Sequence, residues 1–546
     1  MSPRVAILWH LHQPEYRDPT TGVPTMPWTR LHMLRGVRDL VVELAEQRLP
    51  FSIDLVPIML EQMVHYAEGG SDPHLDLTRV PAEALTDDQR AAIRATFVAG
   101  HPAMVEASDA WSALASRVQR GALLTTDAWR DVQVWSTLAW FGATARRDFP
   151  ILEMLIAKGS GFSPAEKASM LDVQQQVLET LPGLLDRLPP AGVTVAGAPY
   201  YHPILPLLCD LSSAGRSTDT PPNRAFAAPD HAQWHLTEGR ASVTACLGGV
   251  APRGVWPSEG SVSPEIVPLV AKAGYRWLAS DDGVLHRSER TSGEGGGPWD
   301  LGHGVVGFFR DHELSDRIGF RYATLDPHLA VDDLVAGVAS RSGDLVVLIL
   351  DGENPWESFA DAGHAFRHAL YTAVRQGRLQ LVGLDEAAEE SPVGTVTTLH
   401  SGSWIGANFN IWAGHPEDHA AWDLLADAVE AARGHEHEDL ARPHLFAAEG
   451  SDWFWWYGDD FSTPFKPVFD AAFRSHLKAA WRALGQEPPE ALFSSLVEGD
   501  AKDLTPPRAR SPICWETAWH WVCWADAGSV SWPRSSAMAG GTGGLP

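Results

Sequence analysis

Asp351 directly follows the aliphatic run Leu345-Val-Val-Leu-Ile-Leu350, in Leu350-Asp-Gly-Glu-Asn-Pro-Trp-Glu357. A run of that kind reads as a strand buried on both faces, as in a parallel sheet. In a β/α barrel the C-terminal strand ends carry the active site, because the loops there vary while the barrel below stays rigid. Asp351 and Glu353 therefore stand where catalysis is expected, although Asp-Gly and Glu-Asn are also common turn pairs. Glu259, in Gly254-Val-Trp-Pro-Ser-Glu-Gly-Ser-Val262, is a second strand-end acid flanked by Trp256 and Gly260. Its plainer reading is a carboxylate that complements a helix dipole. Two such acids in one barrel are what glycoside cleavage needs, one to stabilise an oxocarbenium-like centre and one to protonate the leaving oxygen.

Histidines and aromatic rings add to this pair. His10-Leu-His12 alternates across a strand end, so both imidazoles can point to one side. A zinc or carboxylate-assisted site, sugar-hydroxyl binding, and plain buried hydrogen-bonded histidines all remain open. His202, in Pro199-Tyr-Tyr-His-Pro-Ile-Leu-Pro206, is held between prolines that stiffen its loop, which suits a binding position. The segment Ser451-Asp-Trp-Phe-Trp-Trp-Tyr-Gly-Asp-Asp460 packs five aromatic rings beside three acids. Its carboxylates argue against core and for an aromatic sugar platform. A count of 23 Trp against 8 Tyr points the same way.

The elements that must position these residues alternate. Residues 4–9 and 51–55 read as strands, 82–190 has helical period, and Ser163-Pro-Ala-Glu166 is an N-cap, first-turn proline and capping-box carboxylate. Ser263-Pro-Glu265 opens a helix that Gly274 closes, and 275–279 is the next strand. Residues 417–434 and 465–485 are helical, with no strand between them. Arg287–Gly297 and Arg216–Asn223 read as loops, the first of them mobile. The expected class is α/β, a barrel over 1–395 with a helical insertion at about 82–190, a helical subdomain at 396–505 and an atypical tail at 506–546. No internal repeat is found.

Composition limits the function classes. Of 546 residues, 45% are apolar and 20% charged, which excludes wholesale disorder. The formal charge of −27 repels phosphate backbones and anionic lipid, so neither nucleic acid nor membrane is an expected partner. No apolar run approaches the roughly 18 residues of a membrane helix, and Met1–Trp9 offers no export signal. Cys209, Cys246, Cys514 and Cys523 form no Cys-x-x-Cys pair and are too few for a disulfide framework. A soluble protein of the reducing cytoplasm is expected.

Together, His12-Gln-Pro14, Pro199–Pro206, Trp256-Pro-Ser-Glu259, Leu350-Asp-Gly-Glu-Asn354 with Trp356-Glu357, and Ser451–Asp460 resemble glycoside hydrolase family 57, particularly its amylopullulanase and α-amylase-like branch. The resemblance covers roughly residues 4–500. It implies a retaining enzyme on α-glucans with an incomplete (β/α)7 barrel, a helical insertion, a C-terminal helical subdomain over the cleft, and no required metal or cofactor. It gives Glu259 as nucleophile and Asp351 as acid/base. The candidate substrate-binding set is His10, His12, His202, Trp256, Glu353, Trp356, Trp404, Asp452, Trp455 and Asp460. Phe461 departs from the family pattern, which has His there. The alternatives are a 4-α-glucanotransferase or branching enzyme on the same site, a metal-dependent carbohydrate hydrolase or deacetylase using His10, His12 and a strand-end Asp, and a non-catalytic glucan-binding protein. Intact Glu259 and Asp351 argue against the last.

Overall fold

A computed structural model describes residues 3–98 and 100–497. The Trp- and Cys-bearing tail expected to be atypical, with Cys514 and Cys523, lies outside the described residues. No helix among those described is long and apolar enough to cross a membrane.

Seven parallel strands form the centre: β1 (Arg4–Leu11), β2 (Ser52–Leu55), β3 (Thr194–Gly197), β4 (Gly254–Val255), β5 (Trp277–Asp281), β6 (Val306–Arg310) and β7 (Leu345–Asp351). They pair in chain order from β1 to β6, and β7 returns to pair with β1. Two-residue alternation sorts the side chains even though both faces are buried. Ala6, Leu8, Val347 and Ile349 pack into the barrel interior with Ala196, Trp277, Ala279 and Phe308. Val5, Ile7 and Trp9 face the surrounding helices.

The barrel is incomplete between β6 and β7. Asp311 N donates to Val347 O at 2.7 Å, and beyond that contact Gly296 bridges the gap: its N–H donates to Leu345 O, and its carbonyl accepts from Phe309 N. A side chain at position 296 would meet Phe309 O and Val347 at 2.7 Å, so only glycine lets this segment lie between the strands. The Gly-rich stretch expected as a mobile loop is therefore partly a barrel stave, a correction that follows from its lack of a Cβ.

Helices occupy the interval between β2 and β3 from Pro57–Ala67 onward, so the helical region opens before residue 82. Its longest helix, Pro164–Leu184, begins with the expected capping box at Ser163 and Glu166 and buries Met170, Val177, Leu178 and Leu181. Toward the C-terminus, helices Pro416–Ala432, Glu438–Ala448, Ser451–Trp455 and Lys466–Ala483 follow one another without a strand. The aromatic segment inside this group is mostly core, not platform. Trp453, Phe454, Trp455, Trp456 and Tyr457 are all buried. Trp453 Nε1 donates to Ala447 O, and Phe454 stacks on Trp422 with ring centres 4.6 Å apart. Most of the tryptophan excess has the same explanation, since Trp9, Trp256, Trp277, Trp299, Trp356, Trp412 and Trp422 are also fully buried.

The helix Gly36–Gln47 starts against the backbone of the segment that follows β7. A Cβ at Gly36 would lie 2.6 Å from Glu353 O and 2.8 Å from Glu353 Cα. Alanine in a helix is favoured over glycine by about 1 kcal/mol, yet here it must push the Glu353 backbone aside. Gly36→Ala should therefore lower the thermal midpoint and shift the segment that carries Glu353. A midpoint equal to or above that of the wild type would show that the contact does not constrain the segment.

Candidate active site

Strand register assembles the first row of the site. His10 is paired with Asp54 on one side and with Asp351 on the other, and residues opposite each other in a parallel sheet project to the same face. His10 Nδ1 donates to Asp54 at 2.9 and 3.1 Å. Burial works against a charged His10, but the Asp54 carboxylate outweighs it and lifts the imidazole to about 9. Burial in turn pushes the Asp54 carboxyl up, against the pull of His10. His12, two residues on, lies on the same side, with its ring 5.9 Å from that of His10, and its Nε2 donates to Asp452 at 2.9 Å.

Glu259 sits in the turn after β4 at φ +57 and ψ 24, in the left-handed region that non-glycine residues rarely adopt. Trp404 holds it there twice: its backbone N–H donates to Glu259 O at 2.9 Å, and its indole Nε1 donates to Glu259 Oε2 at 2.8 Å. Strain of this kind persists where the surroundings over-determine it and gathers at functional sites. His202 is also left-handed, at φ +58, with Nδ1 3.7 Å from Glu259 Oε1 and hydrogen-bonded to Ser451 Oγ at 3.1 Å. Its ring stacks on His12 with centres 3.9 Å apart. Burial, then the two neighbouring histidines, hold His202 well below the usual histidine range, so it is neutral.

His10, His12, Glu259, Asp351, Glu353, Asn354, Trp404 and Trp455 line one cavity. A larger cavity lined by Arg310, His312, Phe320 and Glu357 shares Asp351, Asn354 and Trp404 with it, so the two join at Asp351. Burial pushes Glu259 up to about 8, with His10 pulling it down and Asp351 pushing it up. Asp351 is likewise raised by burial. Glu353, raised by burial and by Asp351, lies well above the usual carboxylate range. The cleft therefore holds several carboxyls that cannot all ionise near neutral pH, the condition under which one acts as acid while another carries charge.

Five expected binding residues are not on that wall: His202 and Asp452, which contact His12, and Trp256, Trp356 and Asp460. Trp256 and Trp356 have no exposed surface, which closes them to a ligand. Trp256 supports Trp404 edge-on, while Trp356 packs on Trp9 and beneath the Arg367 guanidinium and donates to Gly352 O. Asp460 stands outside the cavity, 3.4 Å from His415. Phe461 stacks flat on Trp455 at 4.4 Å. Asp54 was missed in the sequence, where its one signal is a lone carboxylate inside an otherwise buried strand. Arg310, which lies over the Trp404 ring and is paired with Asp281, gave no signal.

His12, His202 and Asp452 offer ligand atoms within 4.8 Å of one another and, among the described residues, form a wholly buried cluster that could hold a metal ion. His10 is committed to Asp54.

The sequence profile of glycosyl hydrolase family 57 matches residues 6–399. No curated protein matches the sequence significantly. Among solved structures, a branching enzyme from Thermococcus kodakaraensis aligns at a TM-score of 0.55 and 13% identity, covering 88% of this chain and 90% of its own. A branching enzyme from Pyrococcus horikoshii gives 0.53 at 13% identity, over 90% and 98%. An α-amylase from Thermotoga maritima gives 0.53 at 12% identity, over 90% and 96%. At such identities the likeness is one of fold.

Removing the Asp54 charge tests the electrostatics. In Asp54→Asn, His10 should titrate below neutrality instead of near 9, seen by NMR of its imidazole. His10 is raised in the folded state, so the stability it contributes is full below pH 6.5 and lost as pH rises toward 9. The variant should therefore lose stability mainly at the acid end of that range. Glu259, deprived of a cationic neighbour, should then ionise at higher pH, and the acidic limb of kcat/KM should move up. An unmoved limb would show that His10 does not govern Glu259.

Proposed function

The chain belongs to glycosyl hydrolase family 57, and from that premise we propose that it is a retaining α-glucan-active enzyme, of amylase or pullulanase type, working by double displacement. The observation that carries this reading is the placement of Glu259 and Asp351 on one cavity, with Glu259 fixed at backbone and carboxylate by Trp404. Glu259 attacks the anomeric carbon while protonated Asp351 delivers its proton to the departing oxygen. Asp351 then takes a proton from water or an acceptor sugar, which releases the glycosyl group from Glu259. The Trp404 N–H and charged His10 favour the Glu259 carboxylate, and burial favours the protonated form of Asp351. Burial and Asp351 both push Glu353 toward its neutral form, which limits the charge beside Asp351. On this reading His12 and Trp455, both on the cavity wall, meet sugar hydroxyls and ring faces, and Asp452 orients His12. The unpaired thiols of Cys209 and Cys246 support action in the cytoplasm.

Branching enzymes and an amylase share the fold, so water and sugar are both candidate acceptors. Product analysis on maltoheptaose, amylose and pullulan decides between them. Shorter products alone mean hydrolysis, and longer or newly branched ones mean transfer. The His12, His202 and Asp452 cluster supports a second reading, a metal-dependent carbohydrate hydrolase or deacetylase. In the favoured reading, dialysis against a chelator leaves activity unchanged.

Glu259→Gln should keep folding and glucan binding while activity falls by several orders of magnitude, because no covalent intermediate can form. Retention of a tenth of the activity would remove Glu259 from its role. Asp351→Asn should slow natural glucans far more than substrates with a good leaving group, which need no protonation in the first step. Proton NMR of the first products should show the α-anomer, as expected for carboxyls about 5 to 5.5 Å apart; initial β-anomer would overturn the retaining assignment.

The pH profile of kcat/KM should be a bell whose acidic limb lies unusually high for a carboxylate, since Glu259 in the free enzyme is pushed up to about 8. Its two apparent values belong to the coupled carboxyls jointly. An acidic limb near 4 would show that substrate-free burial does not control the nucleophile.

A further inference from the structure

Behind the segment that follows Asp351 lies a cavity of about 340 Å3 that the glycosidase reading does not use. Arg35, Arg146, Arg147 and His364 line it, with Glu153 and Asp361 as the acidic groups. In a chain of net charge −27, three arginines around one cavity are unusual in themselves. Two of them also lack the carboxylate partners that buried arginines ordinarily have.

Arg35 is 3% exposed. Its terminal nitrogens donate only to the carbonyls of Ala139, Trp356 and Phe359, at 3.2 to 3.4 Å. Its Nε is buried with no hydrogen-bond partner, as is the Nε of Arg146. Among the described residues, neither guanidinium has a carboxylate within ion-pair distance. Asp39, a nearby buried carboxylate, is taken up by the Ala143 and Thr144 N–H groups and the Thr144 hydroxyl. Burial lowers both arginines; on Arg35, which falls to about 10, the Glu357 carboxylate acts upward and the Arg146 and Arg367 guanidiniums act downward. An anion held between them would remove that repulsion and satisfy the orphaned donors at once.

We propose that this cavity is a binding site for a phosphoryl group, carried by a small sugar phosphate. Guanidinium groups match phosphate oxygens in geometry as well as charge. The volume lies at the lower end of the range for small-molecule sites, roughly 300 to 1,000 Å3, and leaves room beyond the phosphoryl group. Glu153 and Asp361 then accept from hydroxyls. The site is coupled to the cleft through Arg35, whose guanidinium holds the Trp356 and Phe359 carbonyls while the adjacent Gly36 abuts Glu353.

Isothermal titration of the full chain tests this directly, with glucose 6-phosphate, inorganic phosphate and glucose as probes. Glucose 6-phosphate should bind at one site per chain. Arg146→Gln, a substitution at a partly exposed position outside the cleft, should weaken it by about ten-fold or more, the loss of one charge-assisted contact. Arg147→Gln should weaken it less, because Arg147 is already paired with Glu46 and Asp148. Any binding of plain glucose should be indifferent to Arg146→Gln. Inorganic phosphate binding as tightly as the sugar phosphate, and lost in the same variant, would assign the site to the free ion. No heat from either anion, or equal affinity for glucose 6-phosphate in wild type and Arg146→Gln, would overturn the proposal. Neither readout depends on glucan chemistry, so failure here leaves the glycosidase reading untouched, and the reverse holds too.

Discussion

Burying a carboxylate removes the water that stabilises its charge, and the cleft does this to Glu259, Asp351, Glu353 and Asp54 within a few strand ends. No such set survives unless cations and N–H donors stand among the acids at fixed places. His10 is the central cation. Strand pairing sets it between Asp54 and Asp351 in one row across β2, β1 and β7, so its position is fixed by backbone hydrogen bonds and not by a mobile side chain alone. A one-residue slip of β1 would turn His10 outward and leave two buried acids without their partner. The barrel's hydrophobic interior beneath, with Leu8, Ile349 and Trp277, makes that slip costly.

Backbone strain is the second component, and it is held from outside the barrel. Glu259 and His202 both occupy left-handed conformations. The restraint on Glu259 comes from Trp404, far along the chain, and the restraint on His202 from Ser451, whose N–H donates to His202 O at 2.9 Å. The C-terminal helices thus reach into the site itself. The turn at Gly450 pairs with Pro203 and starts the helix that delivers Asp452 to His12 and Trp455 to the cavity wall. Their aromatic core, formed by Trp422, Phe454 and Phe473, fixes that helix in place.

How far the sequence revealed this depends on whether the signal was local. Asp351 was legible because the buried strand and the acid are contiguous, and Glu259 because its flanking motif is distinctive. The capping box at Ser163 was legible for the same reason. Asp54 was not, since a single carboxylate in a short strand has meaning only once its register against His10 is known. The aromatic segment 453–457 was misread because a core and a sugar platform share a composition. What separates them is partners at Trp422, Phe469 and Phe473, brought in by tertiary packing. Gly296 was misread as part of a mobile loop because a missing Cβ permits both a flexible turn and a close approach between strands. Trp356 was misplaced by its nearness to Asp351 in sequence, although the turn after Gly352 sends its ring back toward Trp9.

The same geometry bears on what the glycosyl group is handed to. In the double displacement proposed above, the group that protonates the leaving oxygen also activates the incoming one, so both would pass on the Asp351 side of the cleft. That side opens into the larger cavity, which Trp404, Arg310, Phe320 and His101 line, the last capping the short helix Pro102–Glu106. Phe320 is 48% exposed, an apolar ring turned toward solvent beside the acid. A ring there is poorly suited to bind water and well suited to the face of a sugar. In the proposed mechanism Glu259 and Asp351 by themselves serve hydrolysis and transfer equally. On the proposed mechanism, selection of the acceptor therefore falls to residues such as Phe320 and Trp404, which line the cavity next to Asp351 and bear on how readily a sugar displaces water there.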